Sequence, residues 1–184
     1  MRKDFKAQPW LMPQPVLIIG TYDKDGKANA MNAAWGGTYD MDKVIIALSH
    51  HRTTENLKAS KAFSLSFATK KTVAASDYVG LVSQNQVPNK LEKAGLHPIK
   101  SNKVNAPLFE EYPLTFECLV DSFDGVNEIL IGKVINISVD ESIIKDNKID
   151  TLALEVLAYD AINHKYRLVG ESVADAFKIG FTLK

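Results

Sequence analysis

This 184-residue sequence has a single cysteine, no excess of either charge and no apolar run near membrane-spanning length. One cysteine cannot close an intrachain disulfide. With 22 Lys and Arg against 22 Asp and Glu, the composition excludes a domain that holds nucleic acid by bulk electrostatics, which needs a basic excess to neutralise phosphates. Any anion site must therefore be local. The opening residues, Met1 through Phe5, lack the apolar core and small-residue cleavage site of a secretory signal, so a cytoplasmic protein with no membrane or nucleic-acid partner is expected. Also missing are a Ser/Gly-rich linker, a charge block and a repeat of solenoid period, so residues 1–184 read as one domain, large enough to bury about 70% of its unfolded surface. There is no G-x-S-x-G elbow, P-loop, glycine-rich dinucleotide fingerprint or C-x-x-C pair, which removes the familiar hydrolase, NTPase, Rossmann and thiol-redox readings.

What is there favours strands over long helices. Residues 16–21 (VLIIGT), 44–49 (VIIALS), 63–68 (FSLSFA), 114–120 (LTFECLV) and 129–139 (ILIGKVINISV) are short, β-branched or alternating. Asp25-Gly26 and Asp124-Gly125 each stand between two such runs, and glycine tolerates the positive φ of a tight hairpin turn. Helical pattern occupies the middle of the chain. One helix starts after Arg52, with Thr53 or Thr54 as cap, and runs to Ser60; a second covers residues 72–82; a short third follows Pro88 and stops at Gly95. Residues 166–170 read as a further strand and 172–177 as a short helix. The fold class is mainly β with inserted helices, an antiparallel barrel or sandwich rather than alternating βαβ units.

Three stretches can carry chemistry. The run Ser49-His50-His51-Arg52-Thr53-Thr54-Glu55-Asn56 is a strand end, a loop and a helix start. Unpaired helix N–H groups, a forked cation and hydroxyl donors together make a phosphate cradle, while the simpler alternative is a capped helix with solvated neighbours. A metal site from His50, His51 and Glu55 has one pair at helical spacing and no second ligand cluster. The run Asn29-Ala30-Met31-Asn32-Ala33-Ala34-Trp35-Gly36-Gly37 has small side chains that let a flat ligand approach the backbone, or that fit a crowded barrel interior. Asp77 through Gln84, followed by Lys90, can face the same ligand or form an ordinary capped helix. Cys118 alternates with Phe116 and Val120 and reads as a buried, inert thiol. Asp121, Asp124 and Glu128 sit where solvated carboxylates collect on a hairpin rim.

In their order, P-x-P-V-L-I-I-G-T from Pro13, D-x-x-G-K-x-N-x-M-x-A-A-W from Asp23, S-x-x-R-T-T-x-N from Ser49, D-Y-V-G-L-V-S from Asp77 with Lys90, A-P-L from Ala106 and F-E-C from Phe116 resemble the flavin reductase-like, FMN-binding split-barrel family, its flavoredoxin branch in particular. The ending Tyr166-Arg167-Leu168-Val169-Gly170-Glu171, followed by Ala176-Phe177, is similar too. The resemblance implies a homodimer of six-stranded antiparallel split β-barrels holding FMN near the interface, with NADH or NADPH as co-substrate or a redox partner protein as electron source. By position it implies that Asn32, Ala33, Ala34 and Trp35 line the isoalloxazine, that Ser49, His50, Arg52, Thr53 and Thr54 hold the phosphate, and that Ser83 and Lys90 complete the pocket. The flavin would carry the chemistry, with no protein nucleophile and no metal. The implied function is an FMN-binding oxidoreductase, either an NAD(P)H-dependent flavin reductase or a flavoredoxin-like electron transfer protein. Its rivals are a non-catalytic flavin carrier reduced by a partner and a ligand-free interaction barrel. The sequence departs from its relatives at Asn32, where threonine is common, at Gln84, where glycine is common, and near Asn127, where many carry a histidine associated with the reductase site.

Overall fold

Each strand of the barrel grows from one of the short apolar or alternating runs. In the structure, a computed structural model that describes residues 1–183, the chain enters through β1 (Gln14–Pro15) and continues as β2 (Leu17–Tyr22). Leu17 and Ile19 belong to one core cluster, Val16 and Ile18 to another, so this segment is buried on both sides. That two-sided burial is why it reads as an unbroken apolar run instead of an alternation. Asp23 then turns the chain. Its carboxylate accepts the N–H groups of Asp25 and Lys27, each at 2.9 Å, and Gly26 takes φ 77°. The expected hairpin forms, with β3 (Ala28–Ala33) antiparallel to β2.

β4 (Gly36–Asp40), β5 (Lys43–Ala47), α1 (Arg52–Ser60), β6 (Ala62–Phe67), α2 (Val73–Leu81) and α3 (Lys90–Ala94) follow. A hairpin of β7 (Pro98–Lys100) and β8 (Pro107–Phe109) leads into two long strands, β9 (Leu114–Asp124) and β10 (Ile129–Val139). After the small ribbon β11 (Ile144–Lys145) and β12 (Lys148–Ile149), the strands β13 (Leu157–Asp160) and β14 (Lys165–Leu168) join β1 in a three-stranded sheet.

The main sheet has seven strands in the order β3-β2-β6-β9-β10-β5-β4, all neighbours antiparallel. β3 and β4 are separated only by Ala34 and Trp35, yet they lie at opposite edges. The sheet must therefore curl until its edges meet, which makes it a split barrel. The expected count of six becomes seven because the crossing strand bends: the Gly36 N–H donates to the Ala34 carbonyl at 3.1 Å, while the Ala47 N–H donates to the Trp35 carbonyl at 2.8 Å. Leu17, Ile19, Met31, Ile46, Phe63 and Leu130 fill the barrel. Val16, Ile18, Ala30 and Val79 form a second core with Leu96, Phe109, Tyr112 and Leu157, against which the helical side packs.

Three local expectations change. In the β9–β10 turn the left-handed residue is Glu128 (φ 57°), not Gly125, because the Asp124 carboxylate already gathers the N–H groups of Val126 (2.8 Å) and Asn127 (3.1 Å) and moves the reversal one step on. The cap of α1 is His51, so Thr53 and Thr54 lie inside the first turn. Thr54 Oγ1 accepts the His51 N–H at 3.1 Å and donates to the His51 carbonyl at 2.7 Å. Residues 172–177 are not helical; a short 3-10 turn, Ile179–Leu183, comes later. That tail has no buried face, and a short helix without tertiary packing is marginal. The expected stop of α3 is present, with Gly95 at φ 67°.

Candidate functional site

The end of β3, the start of α1 and the loop leaving α2 converge on a groove of about 420 Å³. α1 is tied down at both ends of its first turns. Asn29 Nδ2 on β3 donates to Thr53 Oγ1 at 2.9 Å, and Asn56 Nδ2 donates to Thr21 Oγ1 at 3.0 Å, all four residues being buried. These clamps direct the N-terminus of α1, with its unpaired N–H groups, at the groove.

Arg52 stands at that N-terminus. Its guanidinium lies 3.4 Å from Asp23 and 3.4 Å from Glu55, so it is oriented by two carboxylates without being fully engaged by either. Burial pushes the Asp23 carboxyl up, but the Lys27 and Asp25 N–H groups and Arg52 outweigh it and hold its pKa below the usual value. Lys90, from α3, lines the groove and is only 3% exposed. Its Nζ donates to the carbonyls of Val82 (3.1 Å) and Val79 (3.4 Å), and none of its bonds among the described residues is to a carboxylate. Burial pulls its pKa down to about 8.

Two acceptors complete the picture. Asn29 and Gln84 both line the groove, and each spends its amide N–H elsewhere: Asn29 on Thr53, Gln84 on the Ala28 carbonyl at 2.8 Å. Their oxygens, Asn29 Oδ1 and Gln84 Oε1, are buried without a protein partner. A buried acceptor left unmade is costly, so a wall that holds two of them suits a ligand that brings donors. The same wall offers cationic and N–H donors for an anion.

A second groove of about 400 Å³ adjoins the first, sharing Asn32, Gly80 and Leu81. The division between them is thin because Gly80 lets α2 approach β3: a Cβ there would stand 2.9 Å from Asn32 Cβ. Asn32 Nδ2 donates to the Ser76 carbonyl at 2.9 Å, and Tyr166 Oη donates to Asp77 Oδ1 at 2.6 Å. Burial, then Asp77 itself, pushes the Tyr166 pKa up. The Tyr166 motif at the chain's end and the Asp77 motif on α2 thus meet.

Of the residues singled out in the sequence, Asn32, His50, Arg52, Thr53, Ser83 and Lys90 line the first groove, and Ala34 lines the second. Ala33 lies in the barrel core, Thr54 is buried beneath the first turn of α1, Ser49 is exposed beyond β5, and Trp35 is 57% exposed at the bend. Asn29 and Gln84 are groove residues that the motif reading did not assign to a site. Their type was visible, but burial and the loss of one partner are not. His50, His51 and Glu55 do not gather as ligands; among the described residues the group that does is His97, Glu110 and Glu111 beside the β7–β8 hairpin. Cys118 is fully buried, and burial pushes its thiol to about 12, as an inert core residue requires. Glu117 accepts from Ser101 and, at 2.5 Å, from Asn136 Nδ2, a structural tie within the F-E-C motif. Among the described residues no helix is long and apolar enough to cross a membrane.

The profile of the flavin reductase like domain matches residues 10–163. The structure of flavoredoxin from Desulfovibrio vulgaris (Miyazaki F) superposes with a TM-score of 0.92 at 28% identity, covering 98% of this chain and 100% of that one. Flavoredoxin from Methanosarcina acetivorans shares the fold with a TM-score of 0.89 at 24% identity, each chain covered completely (100% and 100%). An uncharacterized protein of Aeropyrum pernix is 27% identical over 125 residues, which are 65% of this chain and 48% of that protein. The chain thus spans about half the length of that relative.

Proposed function

The chain belongs to the flavin reductase like domain family, in its flavoredoxin branch, and on that premise we propose that it is an oxidoreductase holding FMN in the groove at the start of α1. The observation that carries this reading is the donor and acceptor set of that groove. Lys90 and Arg52 offer cationic donors, and Asn29 and Gln84 offer unmade acceptors, matching a ligand with a phosphate, hydroxyls and an imide edge. Arg52, Thr53 and the first N–H groups of α1 would take the phosphate. Asn32, Ser83 and Lys90 would face the rest, with Ala34 and Trp35 beyond the bend. The bound flavin would supply the electron chemistry. Lys90 would steady negative charge on the ligand, because a cation in a water-poor site interacts more strongly than one in solvent.

The electron donor in this reading is NADH or NADPH, and the working unit is a pair of chains. Two measurements test it. FMN titrated into the purified protein should bind and give a flavin spectrum, and Arg52→Ala should weaken that binding by about 1 to 3 kcal/mol. Oxidation of NADH or NADPH with FMN present should exceed the protein-free rate; equal rates with both nucleotides would remove the reductase activity and leave flavin binding intact.

One observation favours a second reading, a carrier reduced by a partner protein. Near the position where the family resemblance implies a histidine in many relatives, Asn127 is committed to the β9–β10 turn, its Nδ2 donating to Asp124 Oδ2 at 2.6 Å. Reduction only in the presence of a partner reductase would favour it, and direct bleaching by NADH would dismiss it.

A further inference from the structure

The molecule carries more surface than a finished monomer should. It exposes 11849 Å², whereas a compact chain of 20.3 kDa exposes about 8,800 Å². The excess, about 3,000 Å², exceeds the roughly 1,000 to 2,500 Å² that each partner buries in an obligate homodimer. Part of it lies in the C-terminal tail, exposed throughout residues 167–183, and much of the rest in two further places. Residues 1–13 form an arm exposed throughout, in which Phe5 (74%), Leu11 (76%), Trp10 and Met12 touch no core cluster, although the Phe5 and Trp10 rings meet at 5.7 Å. On the barrel, Met41 (99%), Ile135 and Ile137 (50%) line a groove of about 440 Å³ between the β4–β5 turn and β10.

The two fit each other. The groove has Asp40 on its rim, with Asp42 beside it 3.6 Å from Lys133 and Lys43 paired to Asp121 at 2.8 Å, and the arm carries Arg2, Lys3 and Lys6 against Asp4 alone. The arm also leaves the barrel in the right place, since Pro15 of β1 and Gly37 and Thr38 of β4 line one small cavity. Where the two-fold axis of a pair runs past this face, the arm of each chain starts beside the groove of the other. We propose that residues 1–12 of a second copy seat in the groove between the β4–β5 turn and β10, each chain giving its arm to the other. This rests on the two-chain reading above and goes beyond it by naming the occupant. Trp10 and Leu11 fill the apolar floor, and Lys3 and Lys6 face Asp40.

Light scattering on the full chain, on a chain beginning at Met12 and on Ile137→Asp tests it. The full chain should run as two copies at micromolar concentration, and either change should raise its dissociation constant by about 30-fold or more. In a Trp10→Cys, Ile137→Cys double variant, oxidation should link two chains. A monomeric full chain would overturn the two-chain reading and the exchange with it. A dimer untouched by loss of the arm, or a disulfide within one chain, would overturn the exchange alone, as would dissociation that follows only removal of residues 173–184.

Discussion

Lys90 sets the pH behaviour of the site. Its pKa is about 8 in the folded chain against an ordinary 10.5, because burial penalises the charged form. Between pH 8 and 10.5 the unfolded chain therefore holds a proton that the folded chain has lost, and stability rises with pH across that window. Below pH 8 both states are charged and the cost of burial is constant. Denaturation of the ligand-free protein should show this rise between pH 8 and 10.5, and Lys90→Met should flatten it while raising stability at pH 7. Flavin binding should run the other way. If the Lys90 charge meets the ligand, FMN affinity falls above pH 8, by at most about tenfold per pH unit, and the Lys90→Met variant loses that dependence. Cys118 gives a simpler expectation. Buried, with its thiol held near 12, it should resist alkylation at pH 8 until the protein is unfolded.

Among the elements, the contact of α2 with β3 is the most exacting. Gly80 on α2 faces Asn32 on β3 so closely that a methyl group would have to displace backbone or the Asn32 side chain. Gly80→Ala should cost about 1 to 3 kcal/mol in urea unfolding, the usual range for overpacking, and should weaken FMN binding because both grooves share this wall. The strands β2, β3, β5, β6, β9, β10 and β14 were legible in the sequence to within a few residues, β10 to the residue, since alternation and β-branching act locally; β1, β4, β7, β8 and β11 to β13 were not, being short pieces set by the strands they pair with. The Asp23 hairpin was legible for the same reason. The cap of α1 was not. Ser, Thr and Asn are preferred caps, so Thr53 or Thr54 was the natural choice, but the clamps from Asn29 and Thr21 on the sheet set where the helix begins. Residues 172–177 failed for the complementary reason: a pattern that could be helical found nothing to pack against.

For the whole molecule, ligand and fold are linked by mass action. FMN at 100 times its dissociation constant should stabilise the chain by about 2.7 kcal/mol, raising the thermal midpoint by about 5 to 11 °C. No shift with FMN, in a protein that also stays colourless, would leave only the interaction-barrel reading.

By itself the sequence determined the β-rich class, the order of the main strands and of the three α-helices, the turn at Asp23 and the family, because each depends on local preference or on ordered motifs. It also showed, through its even balance of charge, that any anion site had to be small. Only the tertiary structure decided which of the marked residues meet. It brought Arg52, Thr53, Ser83 and Lys90 to one groove, placed Ala33 and Thr54 in packed interior, and added Asn29 and Gln84 with their unpaired oxygens. The physical reason is closure. Ala34 and Trp35 join opposite edges of one curled sheet, and the neighbours that closure creates lie far apart in the chain, beyond the reach of any local pattern.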